Sequence, residues 1–223
     1  MLGHKDKEVA FFGKITAGIT HEINNVLAII KESSGLLEDI LAITEEDAFP
    51  HKDRFKKTLN RILGQIQRGN NITTNLNRFA HSSDYSPASV DLNEVSEQMV
   101  LLASRFARLK NVILEAGHYD ESVIIKTHPV ALQMALFESI EIILDLVTSN
   151  GKIILFPRKT DNKYVIGVHF EDTTPDDIVI MQSISSCDRW ESLQKTMVYL
   201  DGTVETDDSA LEILLYLPNS IGK

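Results

Sequence analysis

Between Lys7 and about Thr44 the chain has no proline, and apolar residues recur at helical spacing. Phe12, Ile19, Val26 and Ile40 fall in steps of seven, with Ser33 interrupting; Ile23, Ile30 and Leu37 form a parallel series. The stretch EEDAFPHKD then breaks the pattern, with Pro50 and Asp53 suited to a loop and a new helix start. In the next run Phe55, Leu59, Ile62, Ile66, Gly69, Thr73, Leu76 and Ala80 alternate by four and three, a heptad seam. These patterns predict two antiparallel helices of roughly 35 and 28 residues, a long hairpin at ~1.5 Å per residue.

A hairpin covers only one side of each of its helices. Two hairpins side by side bury both faces as a four-helix bundle, so a homodimer through residues 1–83 is expected. The alternative is a C-terminal domain that folds back onto the hairpin within one chain. HSSDYSPASVDL, with Pro87, reads as a linker, and a second domain is expected over residues 88–223. There VDLNEVSEQMVLLASRFARLK is helical, with Asp91 or Asn93 as cap, and NVILEAGHYDESVIIKT reads as two strands. Pro129 to about Thr148 reads as an amphipathic helix, KIILFPRK and KYVIGVHFE as a hairpin, Asp188–Leu200 as a helix and LEILLYLP as a closing strand. The predicted class is α+β: a helical hairpin forming a dimeric four-helix bundle, then a two-layer α/β sandwich.

Composition narrows the setting. No apolar run in the 223 residues approaches the roughly 18–20 needed to span a bilayer, and the charged start MLGHKDKEVAFF lacks a secretory signal's apolar core. A lone cysteine, Cys187, excludes an internal disulfide, and the seven histidines include no His-x-x-x-His pair. A cytoplasmic protein without a membrane segment or a sensor segment before residue 7 is expected. The net charge of −10 is uneven: residues 1–83 hold 11 Lys/Arg against 10 Asp/Glu, whereas residues 84–223 hold 11 against 22. The acidic half disfavours nucleic acid and anionic membrane as partners.

Within the first helix, GITHEINN brings together His21, Glu22, Asn24 and Asn25. His21 stands two residues from both Ile19 and Ile23, so it points away from their seam. Asn25, four residues on, shares its face, and Lys14 returns to nearly that face two turns below; Ala17 and Gly18 leave a shallow spot between. A neutral imidazole has one nitrogen free to attack phosphorus. An adjacent carboxylate can take the proton from the other nitrogen, an amide can hold a water or an acyl-phosphate oxygen, and a lysine adds charge. From residue types alone, a reaction centre and an ordinary solvated helix face both stand.

GKITAGITHEINNVLAIIKESSGLL resembles the phosphoacceptor segment of sensor histidine kinases of the HisKA type, whose pattern is His-Glu-hydrophobic-Asn-Asn on the first of two helices. The resemblance implies that His21 carries a phosphoryl group, that Glu22 accepts its proton and that the bundle is dimeric. It places Asn25 where that family keeps an amide or hydroxyl for dephosphorylating its receiver. The family's next domain is an ATP-binding sandwich of the GHKL type, and the order of elements from Val90 to Pro218 follows that layout.

The nucleotide motifs depart from that pattern. The magnesium-binding helix aligns with PVALQMALFESIEIILDLV, with Glu138 at the family's first asparagine and Ile142 at its second; isoleucine cannot ligate Mg²⁺. HFEDTTPDDIV keeps Asp172 but has Thr174 and Asp176 in place of glycines, and MQSISSCDRWESLQKTMVYLDG holds no Gly-rich phosphate loop. The expectation is a phosphorelay protein with no cofactor of its own, exchanging phosphoryl groups between His21 and the aspartate of response-regulator receiver domains, which carry the Mg²⁺. An upstream hybrid histidine kinase is a candidate donor. Docking is expected on Lys14, Ala17, Gly18, Thr20 and Asn24, with Thr73 and Asn77 of the second helix opposite. The alternatives are a receiver phosphatase working through Asn25, a non-catalytic dimeric scaffold, and an active kinase with an unusual ATP site.

Overall fold

The computed structural model describes residues 4–42, 51–84, 86–119, 121–146, 151–160, 163–172, 184, 187–207 and 211–221. Two long helices open the chain, α1 (His4–Ala42) and α2 (Lys52–Ala80). Most of the break predicted between them lies outside the described residues. On α1 the side chains turned inward are Phe11, Ile15, Ile19, Glu22, Val26, Ser33 and Ile40, spaced as a heptad seam. Val26 faces Gly69 so closely that a β-carbon at Gly69 would lie 3.3 Å from its methyl group.

On α2 the predicted seam is half right. Phe55, Ile62, Gly69 and Leu76 do turn towards α1, but the alternate positions are Thr58, Gln65, Ile72 and Phe79, one residue before those expected. Leu59, Ile66, Thr73 and Ala80 instead lie on the exposed flank. The pattern misleads because α2 carries apolar residues on two adjoining stripes, and only one of them meets α1.

A short turn at His81–Ser83 leads to β1 (Ala88–Asp91) and α3 (Leu92–Leu109). Asp91 caps α3, accepting a hydrogen bond from the Asn93 amide at 2.9 Å. Next come β2 (Ile113–Ala116), β3 (Ile124–Thr127), α4 (Pro129–Leu146), β4 (Gly151–Lys159) and β5 (Tyr164–Asp172). The chain ends with α5 (Asp188–Tyr199), β6 (Thr203–Asp207) and β7 (Glu212–Leu217). The main sheet has the order β2-β4-β5-β7-β6, parallel between β2 and β4 and antiparallel elsewhere, while β1 and β3 pair in a separate ribbon. Opposed pairs such as Ile153 with Phe170 and Leu155 with Val168 join the buried core shared with α3, α4 and α5. The C-terminal unit is thus a layer of helices on a mixed sheet, as expected, with two strands added: β6 at the sheet edge, and β1, which pairs with β3 in a stretch expected to be linker.

α4 departs from the amphipathic expectation. Of its residues only Glu138, Asp145 and Leu146 escape full burial. It lies under α3 and α5, over the sheet and against α1. The junction with the hairpin is aromatic: Phe11 meets Phe79 edge-on at 5.4 Å and Phe137 at 5.6 Å, and Phe137 meets Phe106 at 5.3 Å between ring centres. The C-terminal unit therefore folds back onto its own hairpin.

Candidate phosphoacceptor site

His21 lies midway along α1 with its side chain exposed, and Thr20, Asn24 and Asn25 are exposed beside it. The close approach of Val26 to Gly69 sets the register of the hairpin, and one turn back along α1 and forward along α2 brings Thr73 to the level of Glu22. Thr73 and Asn77 are exposed; the Thr73 hydroxyl donates back to the carbonyls of Gly69 and Asn70, both at 3.0 Å.

Glu22 turns the other way. It is buried, and Arg68 of α2 donates to its Oε2 at 2.7 Å while Arg108 of α3 donates to its Oε1. The carboxylate expected to serve His21 is thus held in the cleft where α1, α2 and α3 meet. A pocket of about 400 Å³ opens there, lined by Glu22, Asn25, Ala28, Ile29, Arg68 and Arg108. Neither arginine was singled out in the sequence. Arg68 is 46 and Arg108 is 86 positions from Glu22, and no local pattern links them.

Two residues expected on an open docking face are engaged by the C-terminal unit instead. The Lys14 ammonium pairs with Glu141 of α4 and sits over the rings of Phe106 and Phe137, at 5.7 and 5.4 Å. Gly18 is buried beneath Phe106, where a β-carbon would approach the ring to 3.0 Å. In this arrangement both residues attach the hairpin to the C-terminal unit, because α3 and α4 pack on that stretch of α1. Ala17 remains exposed.

The helix aligned with the magnesium-binding helix of kinases shows how its polar residues are used. Glu138 accepts hydrogen bonds from the Ser192 hydroxyl at 2.6 Å and the Thr196 hydroxyl at 3.1 Å, both on α5. Lys7 of α1 donates to Ser192 at 2.7 Å. Arg189 of α5 bridges Glu141 and Asp145 at 2.7 and 2.8 Å. Ile142 is 1% exposed, in the core. The residues at the kinase positions do not fit a magnesium–nucleotide complex: one is a hydrocarbon, and the other's two oxygens are hydrogen-bonded to α5. Asp172 is the last residue of β5, while Thr174 and Asp176 lie outside the described residues. Among the described residues no cluster of His, Cys, Asp or Glu is arranged to hold a metal ion, and no helix is long and apolar enough to cross a membrane.

Burial pushes the Glu138 carboxyl above its ordinary value, and the hydroxyl hydrogen bonds with the charges of Lys7 and Arg189 reverse only part of that. A raised carboxyl binds more protons folded than unfolded, so this group costs stability as pH rises through and above the carboxylate range. E138Q is expected to remove that component of the pH dependence, so that its stability relative to the parent rises from pH 4 to pH 7. Urea midpoints of both chains from pH 4 to 7 check this; parallel curves would refute it.

No known family profile matches the chain. Among curated proteins it is 26% identical over 176 residues to the sensor kinase CckA of Brucella abortus, covering 76% of this chain and 17% of that protein. The chain thus spans about a sixth of the length of this relative. Among solved structures, the nucleotide-free catalytic domain of the histidine kinase ThkA is matched in full by 62% of this chain, with a TM-score of 0.50 at 14% identity. The helical hairpin is followed by a sheet domain with the fold of histidine kinase ATPase domains, and in sequence the chain is similar to a sensor histidine kinase.

Proposed function

We propose that this chain is a phosphorelay protein in which His21 accepts a phosphoryl group and exchanges it with the aspartate of response-regulator receiver domains, without using ATP. The observation that carries the reading is the position of His21, exposed on a helical hairpin joined to a kinase-like domain whose α4 carboxylates are taken up by α1 and α5. The rigid helix presents the imidazole in line with a phosphoaspartate, so positioning supplies most of the catalysis. Phosphohistidine and aspartyl phosphate are both high-energy, and exchange between them runs in either direction. Thr20, Asn24, Thr73 and Asn77 are exposed around His21 and form the surface a receiver would meet. The Mg²⁺ belongs to the receiver, and a hybrid histidine kinase is a suitable source of the phosphoryl group.

The test is to incubate the chain with a receiver carrying radiolabelled aspartyl phosphate. Acid-labile, base-stable label on this chain is expected; ATP with Mg²⁺ in place of the receiver is expected to leave none. Label from ATP would make the chain a kinase. A second reading rests on Asn25, exposed one turn beyond His21 and lining the pocket beside both arginines. There it can orient a water for receiver dephosphorylation. N25A that still takes label but no longer drains the receiver would show that activity.

The homodimer belongs to the same proposal. Leu59, Leu63 and Ile66 on the flank of α2 that α1 leaves uncovered, and Leu27 and Leu41 on α1, remain between 41% and 56% exposed along the hairpin. A second hairpin would bury them as a four-helix bundle. Light scattering is expected to give twice the chain mass of 25.0 kDa; a monomer at micromolar concentration would refute it.

A further inference from the structure

Glu22 and His21 are adjacent in sequence but project about 100° apart around α1, His21 outward and Glu22 into the cleft. The Glu22 side chain is 9% exposed, with one oxygen held by Arg68 and the other by Arg108. Arg68 belongs to the same hairpin and moves with Glu22. Arg108 arrives on α3, part of the C-terminal unit, beside two further ties between that unit and the same stretch of α1: Phe106 over Gly18, and Glu141 on Lys14. A single arginine would balance one carboxylate. The second leaves the cluster with a surplus positive charge, and the Arg108 side chain is 51% exposed, so its bond to Glu22 is open to competition.

Resting on the phosphoacceptor reading of His21, we propose that Arg108 is a positioning residue that withholds Glu22 from His21 while the C-terminal unit is docked. Release of Arg108 lets the carboxylate turn from the α3 side towards the neighbouring imidazole. In that state one imidazole nitrogen attacks phosphorus and a phosphorus–nitrogen bond forms. The phosphorus–oxygen bond to the donor's aspartate breaks, the leaving carboxylate takes its electron pair, and the proton on the other ring nitrogen passes to Glu22. The C-terminal unit thereby sets the reactivity of the histidine through one guanidinium. A merely structural Arg108, compensating a buried charge, would alter stability and leave the imidazole's reactivity as it is.

The experiment uses the intact chain and its R108Q, R108K, E22Q and R108Q/E22Q variants, with two small reagents. Phosphoramidate phosphorylates an imidazole as its phosphorus–nitrogen bond breaks and ammonia leaves. Diethylpyrocarbonate acylates the same ring. Both products are followed at His21 by peptide mass spectrometry, with exposed His81 and His118 as internal references. R108Q is expected to modify His21 about tenfold faster than the parent with both reagents, the scale of losing one charge-assisted hydrogen bond. R108K, which keeps the charge, is expected to stay nearer the parent, and R108Q/E22Q to match E22Q. A parental rate in R108Q, or equal acceleration without Glu22, overturns the proposal. Acceleration with diethylpyrocarbonate but no phosphorylation of any variant upholds the hold of Arg108 on Glu22 and overturns the phosphoacceptor reading instead.

Discussion

H21Q is expected to take no label from a phosphorylated receiver, a loss on the order of a thousandfold or more, as removal of a nucleophile commonly produces. Glutamine is of similar size and polar, and its amide is a very poor nucleophile towards phosphorus at neutral pH. Because the His21 side chain is exposed, the change should leave folding within about 0.5 kcal/mol of the parent. That separation makes the measurement decisive: circular dichroism and the urea midpoint stay put while label on the chain disappears. If H21Q still acquires acid-labile label, another histidine is the acceptor and the proposed site is wrong. If it loses label yet still dephosphorylates the receiver, the Asn25 reading gains.

The largest stability effect is expected from F79A. Phe79 is 1% exposed near the end of α2, with its ring centre 5.4 Å from Phe11 and 4.6 Å from Phe12. Through Phe11 this cluster continues to Phe137 on α4, at 5.6 Å. Truncation removes the transfer free energy of a full ring and leaves a cavity that two long helices cannot close, a cost of about 3–5 kcal/mol. The ion pair between Lys14 and Glu141 nearby cannot make up the loss, since a pair with a 40% exposed lysine is worth at most about 1 kcal/mol. Chemical denaturation should show a correspondingly lower midpoint. A shift under about 1 kcal/mol would mean that the aromatic junction is not what holds the C-terminal unit to the hairpin.

The extent and pairing of α1 and α2 are readable from heptad spacing, because a helical stripe is a local signal repeated over many turns. The same repetition explains the error on α2: with two adjoining apolar stripes, spacing alone does not say which one meets α1. Asp91 as a cap follows from a hydrogen bond closed within three residues. β6 passed unnoticed because it is an edge strand, paired on one side only, and TVETD carries little of the apolar alternation that marks a buried strand. α4 reads as amphipathic because Glu138, Glu141 and Asp145 recur among its apolar residues, whereas these carboxylates meet cations and hydroxyls from α1 and α5.

The sequence by itself determined the hairpin, the helix-and-sheet order of the C-terminal unit and the outward display of His21. Each of these rests on periodicity or on contacts within a turn or two. Only the tertiary structure decided that the C-terminal unit docks beside the histidine, pairing Lys14 with Glu141, burying Gly18 and turning Glu22 towards Arg68 and Arg108. Charges paired across 46 to 127 positions are brought together by the packing of helices, and that packing leaves no periodic trace in the order of residues.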